Sequence, residues 1–152
     1  MVETLRRTTR PAIRDRAKLS EPRRLMIFIG ALYNEAVSKI TVYQKPTCTT
    51  CREVHKALVE SGVDFSAVDY YVTPIPKAKL KDLLRKMGIP ASGLLRKKED
   101  IYKTLKLADK DLSESEWVDL MAKHPDLIQR PIVEKGERAI LARPAERLKE
   151  IL

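Results

Sequence analysis

The sequence predicts an α/β fold built on a mixed β-sheet, and three observations support this prediction. Residues 40–43 and 64–71 are rich in strand formers and flank a segment with helical spacing, which is the pattern of a βαβ unit with two parallel strands. Residues 131–133 and 139–142 are short apolar runs that predict a β-hairpin. Residues 91–123 contain no strand-like run, so they predict a set of short helices inserted between these two units.

The first predicted strand leads directly to both cysteines of the chain. Residues 40–52 read ITVYQKPTCTTCR, in which a Lys45-Pro46 turn connects the strand to Cys48 and Cys51. The cysteines then lie at the start of the following helix, where unpaired backbone N–H groups and the helix dipole favour a thiolate. We therefore predict that Cys48 is a nucleophile and that Cys51, three positions on, is able to close a disulfide with it.

The sequence predicts one end for the helix that follows the cysteines and two possible starts. Apolar residues at helical spacing continue to Gly62, which stands where a C-terminal cap is expected. Thr50 and Glu53 have the spacing of a capping box. A helix that begins nearer Cys48 fits the sequence equally well, so both starts remain open.

Helical signals recur downstream of the second strand. The first predicted helix has Leu80, Leu83, Leu84 and Met87 on its apolar face, and three short helices follow at residues 92–95, 99–105 and 113–123. A terminal helix is predicted to begin with Pro144 at its first helical position and to have Leu148, Ile151 and Leu152 on one face. Ser113 and Glu116 form a capping box at the third short helix, and Lys135-Gly136 is the predicted hairpin turn. This order of elements is that of a thioredoxin-like mixed sheet with a helical insertion.

Length and composition limit the number of domains. With 152 residues, of which 43% are hydrophobic, the chain is long enough for one soluble domain with a real core. We assign residues 38–152 to that domain and residues 1–37 to an N-terminal extension. The first part of the extension combines many arginines with few large apolar residues and is expected to be disordered. Translation from Met26 instead of Met1 would omit most of it.

Composition also bears on compartment and partners. The apolar run at residues 25–33 is far shorter than the roughly 20 residues of a membrane span, and the mixed charges before it fit neither a secretory nor a mitochondrial presequence. A single CxxC suits a reducing compartment, so we expect a cytoplasmic protein, and we expect a monomer. The net charge of +9 comes without a long basic block or a series of aromatic residues, so we expect no nucleic-acid partner and a small anionic substrate instead.

The two cysteines also have the form of half a zinc site. No second CxxC is present, and only His55 and His124 are available as further soft ligands, so we expect no bound metal. Haem attachment requires a histidine directly after the second cysteine, where Arg52 stands. Redox chemistry at Cys48 and Cys51, without a bound cofactor, remains the main prediction.

Three arginines have positions that suit a role in anion binding. Arg130 and Arg143 each precede a proline beside a predicted strand, where the restricted backbone fixes their direction, and Arg96 follows two leucines in the insertion. An arginine is ordinarily an exposed surface charge, so each of them alone is weak evidence. If they converge on Cys48, they supply planar, multidentate donors for a tetrahedral oxyanion and lower the pKa of the thiol.

Several sequence blocks, taken in order, resemble the arsenate reductases of the glutaredoxin-coupled type and their relatives, the Spx-type regulators. The blocks are the Cys48 loop, Leu94-Leu95-Arg96 with Tyr102 after it, His124-Pro125 followed by residues 127–133 (LIQRPIV), and residues 141–146 (LARPAE). The resemblance extends over residues 39–152, and its combination of blocks is far more specific than a CxxC alone.

This resemblance implies roles and partners for particular residues. It implies that Cys48 attacks arsenate and that the oxyanion is held by Arg96, Arg130 and Arg143. It also implies a cis peptide bond between Arg130 and Pro131. Glutathione is the implied co-substrate, and glutaredoxin or thioredoxin is the implied reductant.

The chain departs from the resembled enzymes at two places, which leaves alternatives open. Gln44-Lys45 stands where those enzymes often have His-Asn, and Cys51 stands where they commonly have Ser. Because the Spx-type regulators have a CxxC, one alternative is a redox-sensing regulator that binds RNA polymerase, with Cys48 and Cys51 as its switch. Another is a general thiol-disulfide oxidoreductase that acts on mixed disulfides.

Overall fold

The computed structural model describes residues 39–152. Its elements in order are β1 (Ile40–Gln44), α1 (Thr49–Ser61), β2 (Phe65–Asp69), α2 (Lys77–Met87), α3 (Asp100–Thr104), α4 (Glu114–Lys123), β3 (Ile132–Lys135) and β4 (Arg138–Leu141). Short 3-10 helices span Ala91–Leu94, Leu107–Asp109, Pro125–Leu127 and Ala145–Glu150. The predicted N-terminal extension, residues 1–37, lies outside the described residues.

The strands form one mixed sheet in the order β2-β1-β3-β4. β1 and β2 are parallel, with Val42 opposite Ala67, because α1 crosses between them. β3 is antiparallel to β1, with Val42 opposite Val133, and β4 is antiparallel to β3. A βαβ unit followed by an antiparallel hairpin is the thioredoxin-like topology, so the predicted fold class is confirmed.

The core divides between the two faces of this sheet because side chains alternate along each strand. Val42 and Val133 belong to a cluster with Val54 and Leu58 of α1, beneath the terminal 3-10 helix. Tyr43 and its neighbours on the opposite face join the larger cluster, which is formed with α2, α4 and the inserted helices. The sheet is therefore covered on both sides, and the residues at the end of β1 are held from both.

The start of α1 decides between the two predicted helix starts. Cys48 is the N-cap residue, and α1 begins at Thr49, so the start nearer the cysteine is confirmed. A capping box at Thr50 and Glu53 is wrong, because Thr50 already lies inside the helix. The helix ends as predicted at Gly62, which has a φ of 70° in the left-handed region that glycine adopts without strain.

The inserted helices and the hairpin agree with the sequence in kind and differ in detail. The Ser113 Oγ accepts from the Glu116 N–H at 3.4 Å, and the Glu116 carboxylate accepts from the Ser113 N–H at 2.8 Å, so this capping box is confirmed. Lys135 is the last residue of β3, and the hairpin turn is Gly136-Glu137, one residue later than predicted. Gly136 has a φ of 58°, and glycine at a central turn position provides this conformation.

The terminal helix differs from its prediction in two respects. It is a 3-10 helix at Ala145–Glu150, and Pro144 is its N-cap with extended backbone, so Pro144 does not occupy the first helical position. Leu148 and Ile151 are buried as expected, whereas Leu152 is 45% exposed because it follows the last turn. Within residues 39–152, no helix has the length and apolar character needed to cross a membrane.

Candidate active site

Cys48 lies in the short connection between β1 and α1. Its backbone N–H donates to the Lys45 carbonyl at 3.0 Å, and its own carbonyl accepts from the Arg52 N–H at 3.1 Å. The loop is thus fixed to the strand on one side and to the helix on the other. Cys48 is partly exposed and Cys51 is buried, and neither forms a disulfide in this structure. The partly exposed sulfur is therefore the one that a substrate can reach.

The environment shifts the pKa values of the two thiols in opposite directions. Partial burial disfavours ionisation of Cys48, but its interactions with the backbone N–H and thiol of Cys51 and with the Arg130 guanidinium outweigh burial, so the pKa of Cys48 is lowered. For Cys51, burial and the neighbouring Cys48 raise the pKa to about 12. Ionisation is therefore easier at Cys48 than at Cys51, and Cys51 stays a thiol at neutral pH.

Arg130 is the arginine that the fold brings to the cysteines. It is only 6% exposed, and it precedes β3 through a cis peptide bond to Pro131, as the resemblance implied. Its Nη1 donates to the Tyr71 hydroxyl at 2.9 Å and to the Tyr70 hydroxyl at 3.5 Å. Within residues 39–152, its Nε is buried without a hydrogen-bond partner. A largely buried cation beside Cys48 favours the binding of an anion at this position.

A ring of polar contacts around Tyr71 holds Arg130 in place. The Tyr71 hydroxyl donates a short hydrogen bond to the Asp126 carboxylate, and the pKa of Asp126 is lowered by this bond. Lys45 Nζ lies 3.9 Å from the centroid of the Tyr71 ring and 3.6 Å from the Asp126 carboxylate. Lys45, on the loop that carries Cys48, therefore adds a second positive charge to that of Arg130.

Arg96 and Arg143 meet in a cavity of about 380 Å³. The lining residues are Leu95, Arg96, Lys97, Lys98, Gln129 and Arg143, and Cys48 is not among them. Arg96 is half-buried and pairs with Glu99 at 2.5 Å, while Arg143 is exposed. Four of the six lining side chains are cationic, so the cavity attracts anions.

Backbone contacts join this cavity to the segment that carries Arg130. The Arg96 N–H donates to the Leu127 carbonyl at 2.8 Å, and the Gln129 N–H donates to the Leu94 carbonyl at 2.8 Å. Tyr70 is influenced from both sides: burial raises its pKa to about 12, while Arg130 and Arg96 act to lower it. The structure thus brings Arg130 to Cys48 and Arg96 to Arg143, and the catalytic roles of these residues stay predictions.

The sequence did not reveal the residues that support Arg130. Tyr70 and Tyr71 were interpreted only as strand formers, although both lie just after β2, and Asp126 was not singled out. The one available signal was Lys45, whose charge stands on the Cys48 loop. A second cis peptide bond, at Arg143-Pro144, was also not predicted. In the part of the chain that the structure describes, no group of three or more His, Cys, Asp or Glu residues is placed to hold a metal ion.

A thioredoxin-like sheet, an ionisable cysteine at a helix N-cap and a buried arginine beside it define a thiol-dependent redox protein with an anion site. Within that class, the model of the ArsC family matches residues 43–151, and the chain belongs to this family. The predicted resemblance to the arsenate reductase family is therefore confirmed.

Individual relatives agree with this assignment. The chain is 41% identical over 115 residues to the uncharacterized protein YfgD of Escherichia coli K12, covering 75% of this chain and 97% of the relative. It is 37% identical over 116 residues to an arsenate reductase of the same strain, covering 76% and 82%. Among solved structures, an arsenate reductase from Vibrio cholerae superposes with a TM-score of 0.72 at 34% identity, covering 76% of this chain and 98% of that one.

Proposed function

We propose that this protein reduces arsenate to arsenite through a covalent adduct on Cys48, with glutathione as the thiol co-substrate. The observation that supports this most is the lowered pKa of Cys48 beside Arg130, a nine-tenths buried cation with an unpartnered Nε. A thiolate next to a free guanidinium donor suits a reaction in which sulfur attacks the centre of an oxyanion. The arsenate reductases among the relatives support the choice of oxyanion.

In the first step the Cys48 thiolate attacks arsenic, an S–As bond forms and one arsenate oxygen leaves as water after protonation. The charge on the remaining oxygens grows as the bond forms. Arg130 is already fixed by Tyr70 and Tyr71, so its positive charge is in position before the negative charge develops. Arg96 and Arg143 contribute positive potential from the adjoining cavity and attract the anion.

In the second step a thiolate attacks the Cys48 sulfur. A disulfide bond forms, the S–As bond breaks, and arsenic takes the electron pair and leaves as arsenite. Glutathione as the attacker gives a mixed disulfide, which a glutaredoxin opens. Cys51 as the attacker gives an internal disulfide, which a thioredoxin or a glutaredoxin opens. The pKa of about 12 for Cys51 favours the glutathione route, because little of Cys51 is thiolate at neutral pH.

The test measures arsenite formed by the purified protein from arsenate, glutathione and glutaredoxin, and in parallel with thioredoxin. We expect turnover with the wild type and none with Cys48→Ser. Cys51→Ser separates the two routes, since it retains turnover with glutathione and glutaredoxin only if Cys51 does not carry the second step. Absence of arsenite with both reductant systems would overturn the proposal.

A further inference from the structure

A separate cavity lies against the Cys48 loop and the first two turns of α1. Its volume is about 250 Å³, and it is lined by Gln44, Pro46, Arg52, His55 and Lys56. It shares no lining residue with the cavity of Arg96 and Arg143. Pro46 lies two positions before Cys48 and Arg52 directly follows Cys51, so the cavity adjoins the loop and the first helical turn that carry the two cysteines.

Gln44, one of the lining residues of this cavity, carries a buried acceptor that has no partner among the described residues. It is the last residue of β1 and is 9% exposed, and its Oε1 is buried without a partner. Its Nε2 lies 3.5 Å from His55 Nδ1, and the His55 ring packs edge-on against Phe65 with 5.2 Å between centroids. An unsatisfied buried acceptor is unfavourable, so a ligand N–H that reaches it is favoured.

The positive charge of the cavity lining indicates that the ligand is an anion. Arg52 and Lys56 are four residues apart on one side of α1, both are exposed, and no acidic residue lines the cavity. Lys56 is 3.7 Å from Glu60, but an exposed pair of this kind contributes little and is readily exchanged. The N-terminal end of α1 adds positive potential. A ligand with a carboxylate and an amide or ammonium N–H fits these groups.

We propose that this cavity binds the charged part of a peptide thiol of the glutathione class. The proposal rests on the proposed function, and it assigns the co-substrate of that reaction to a site distinct from the oxyanion cavity. A ligand carboxylate pairs with Arg52 and Lys56, and a ligand N–H donates to Gln44 Oε1. The thiol end is then adjacent to the loop of Cys48, where its sulfur attacks Cys48 Sγ as arsenic leaves.

The experiment needs no arsenate, because a Cys48 thiolate is expected to exchange with disulfides as well. Its thiolate attacks one sulfur of glutathione disulfide, a mixed disulfide forms and one glutathione thiolate leaves. The consumption of reduced protein is followed by mass spectrometry with glutathione disulfide and, separately, with the uncharged bis(2-hydroxyethyl) disulfide. The readout is the ratio of the two rates, since a change in the pKa of Cys48 affects both rates and cancels.

Two variants remove the proposed contacts. Arg52→Glu reverses an exposed charge and is expected to lower the ratio about five- to tenfold. Gln44→Met removes the buried acceptor with similar side-chain volume and is expected to lower the ratio about threefold. The control Lys149→Glu makes the same charge change at an exposed position of the terminal 3-10 helix, and it is expected to leave the ratio unchanged.

The proposal is overturned if Arg52→Glu leaves the ratio unchanged, or if Lys149→Glu lowers it equally, which would indicate a long-range charge effect. The arsenite assay separates this result from the proposed function. In that assay Arg52→Glu should raise the KM for glutathione and leave the KM for arsenate unchanged. If arsenite forms but the ratio of the two disulfide rates is unaffected by Arg52→Glu, only the glutathione subsite is contradicted. If no arsenite forms, the proposed function is contradicted whatever the ratio.

Discussion

Nη1 of Arg130 donates a 2.9 Å hydrogen bond to the hydroxyl of Tyr71. The same hydroxyl donates to Asp126, so the phenol has both an acceptor and a donor role and its position is determined from two sides. Arg130 is thereby oriented by a residue that belongs to the end of the βαβ unit, while Arg130 itself precedes the hairpin. The contact connects the two halves of the sheet at the candidate site.

Replacing Tyr71 with phenylalanine tests whether this contact positions Arg130 for catalysis. Tyr71→Phe removes the acceptor and retains the ring under Lys45, so we expect kcat/KM for arsenate to fall about five- to tenfold, in line with about 1 to 1.5 kcal/mol for the net contribution of one hydrogen bond. The fall should appear mainly in kcat if Arg130 acts on the transition state. Steady-state kinetics at saturating glutathione measure both constants.

Tyr43→Phe is the matched control for this change. It removes a buried phenol hydroxyl that bonds to Glu134 instead of Arg130. We expect it to lower stability and leave kcat/KM unchanged. Equal losses of kcat/KM in the two variants would mean that Tyr71 contributes to the fold only.

The acid strength of Cys48 gives a second prediction. Because Arg130 and the groups of Cys51 lower its pKa, the rate of Cys48 alkylation by iodoacetamide should rise with pH at a midpoint below the ordinary thiol range. Arg130→Gln removes the positive charge and should shift that midpoint to higher pH, whereas Arg130→Lys, which keeps the charge, should shift it less. Circular dichroism checks that both variants are folded. A midpoint that is the same in Arg130→Gln and wild type would contradict the assigned cause.

Cys51 provides an internal comparison in the same experiment. Burial and the neighbouring Cys48 raise its pKa to about 12, so it should stay unmodified across the range in which Cys48 reacts. Peptide mapping after alkylation distinguishes the two sites. Equal labelling of Cys48 and Cys51 near neutral pH would show that the difference in burial does not control reactivity.

The sequence was sufficient for the fold because its signals were local. Strand formers, the cap at Gly62 and the capping box at Ser113 each act over a few residues, and each is present in the structure. The details that differed are those that depend on the ends of elements. The hairpin turn moved by one residue to Gly136-Glu137, and the terminal helix is of the 3-10 type.

The candidate site was predictable only in part because it depends on contacts between distant segments. The position of Cys48 at a helix N-cap follows from local sequence, and so does the placement of Arg130 before the hairpin. That Tyr71 and Asp126 orient Arg130 does not, since 55 positions separate Tyr71 from Asp126. The unpartnered Oε1 of Gln44 is likewise a property of packing that no spacing in the chain indicates.

The two glycines at different backbone conformations give a third prediction. Gly62 has a φ of 70°, and a Cβ there would meet no atom within 4 Å, so the cost of Gly62→Ala is conformational alone and should be about 1 kcal/mol of unfolding free energy. Gly93 has no positive φ, and a Cβ would meet Pro90 at an ordinary 3.6 Å. Gly93→Ala is therefore the control, with a change near zero. Urea unfolding measures both, and equal effects would contradict this explanation.

A buried carboxylate on the central strand β3 gives the last prediction. Glu134 accepts from Lys79 at 2.6 Å, from Lys86 at 2.7 Å and from the Tyr43 hydroxyl at 3.1 Å. Burial opposes its ionisation, but the two lysines and the phenol outweigh burial and lower its pKa. Glu134→Gln removes the closest anion of Lys86, whose side chain is 8% exposed and which keeps Asp82 at 3.1 Å, so we expect a loss of about 2 kcal/mol in unfolding free energy, below that of a fully uncompensated buried charge.

The lowered pKa of Glu134 also predicts how the stability difference between wild type and Glu134→Gln changes with pH. A carboxyl group whose folded pKa is lowered contributes stability above its unfolded pKa, and this stability is lost as the pH falls through the folded pKa. The difference between wild type and Glu134→Gln should therefore be full at neutral pH and shrink in acid. Glu137→Gln is the control, because Glu137 pairs with Arg85 at 3.0 Å on the surface and should contribute less than about 1 kcal/mol. A loss for Glu134→Gln that persists unchanged in acid would indicate that side-chain shape, and not charge, is what β3 requires at this position.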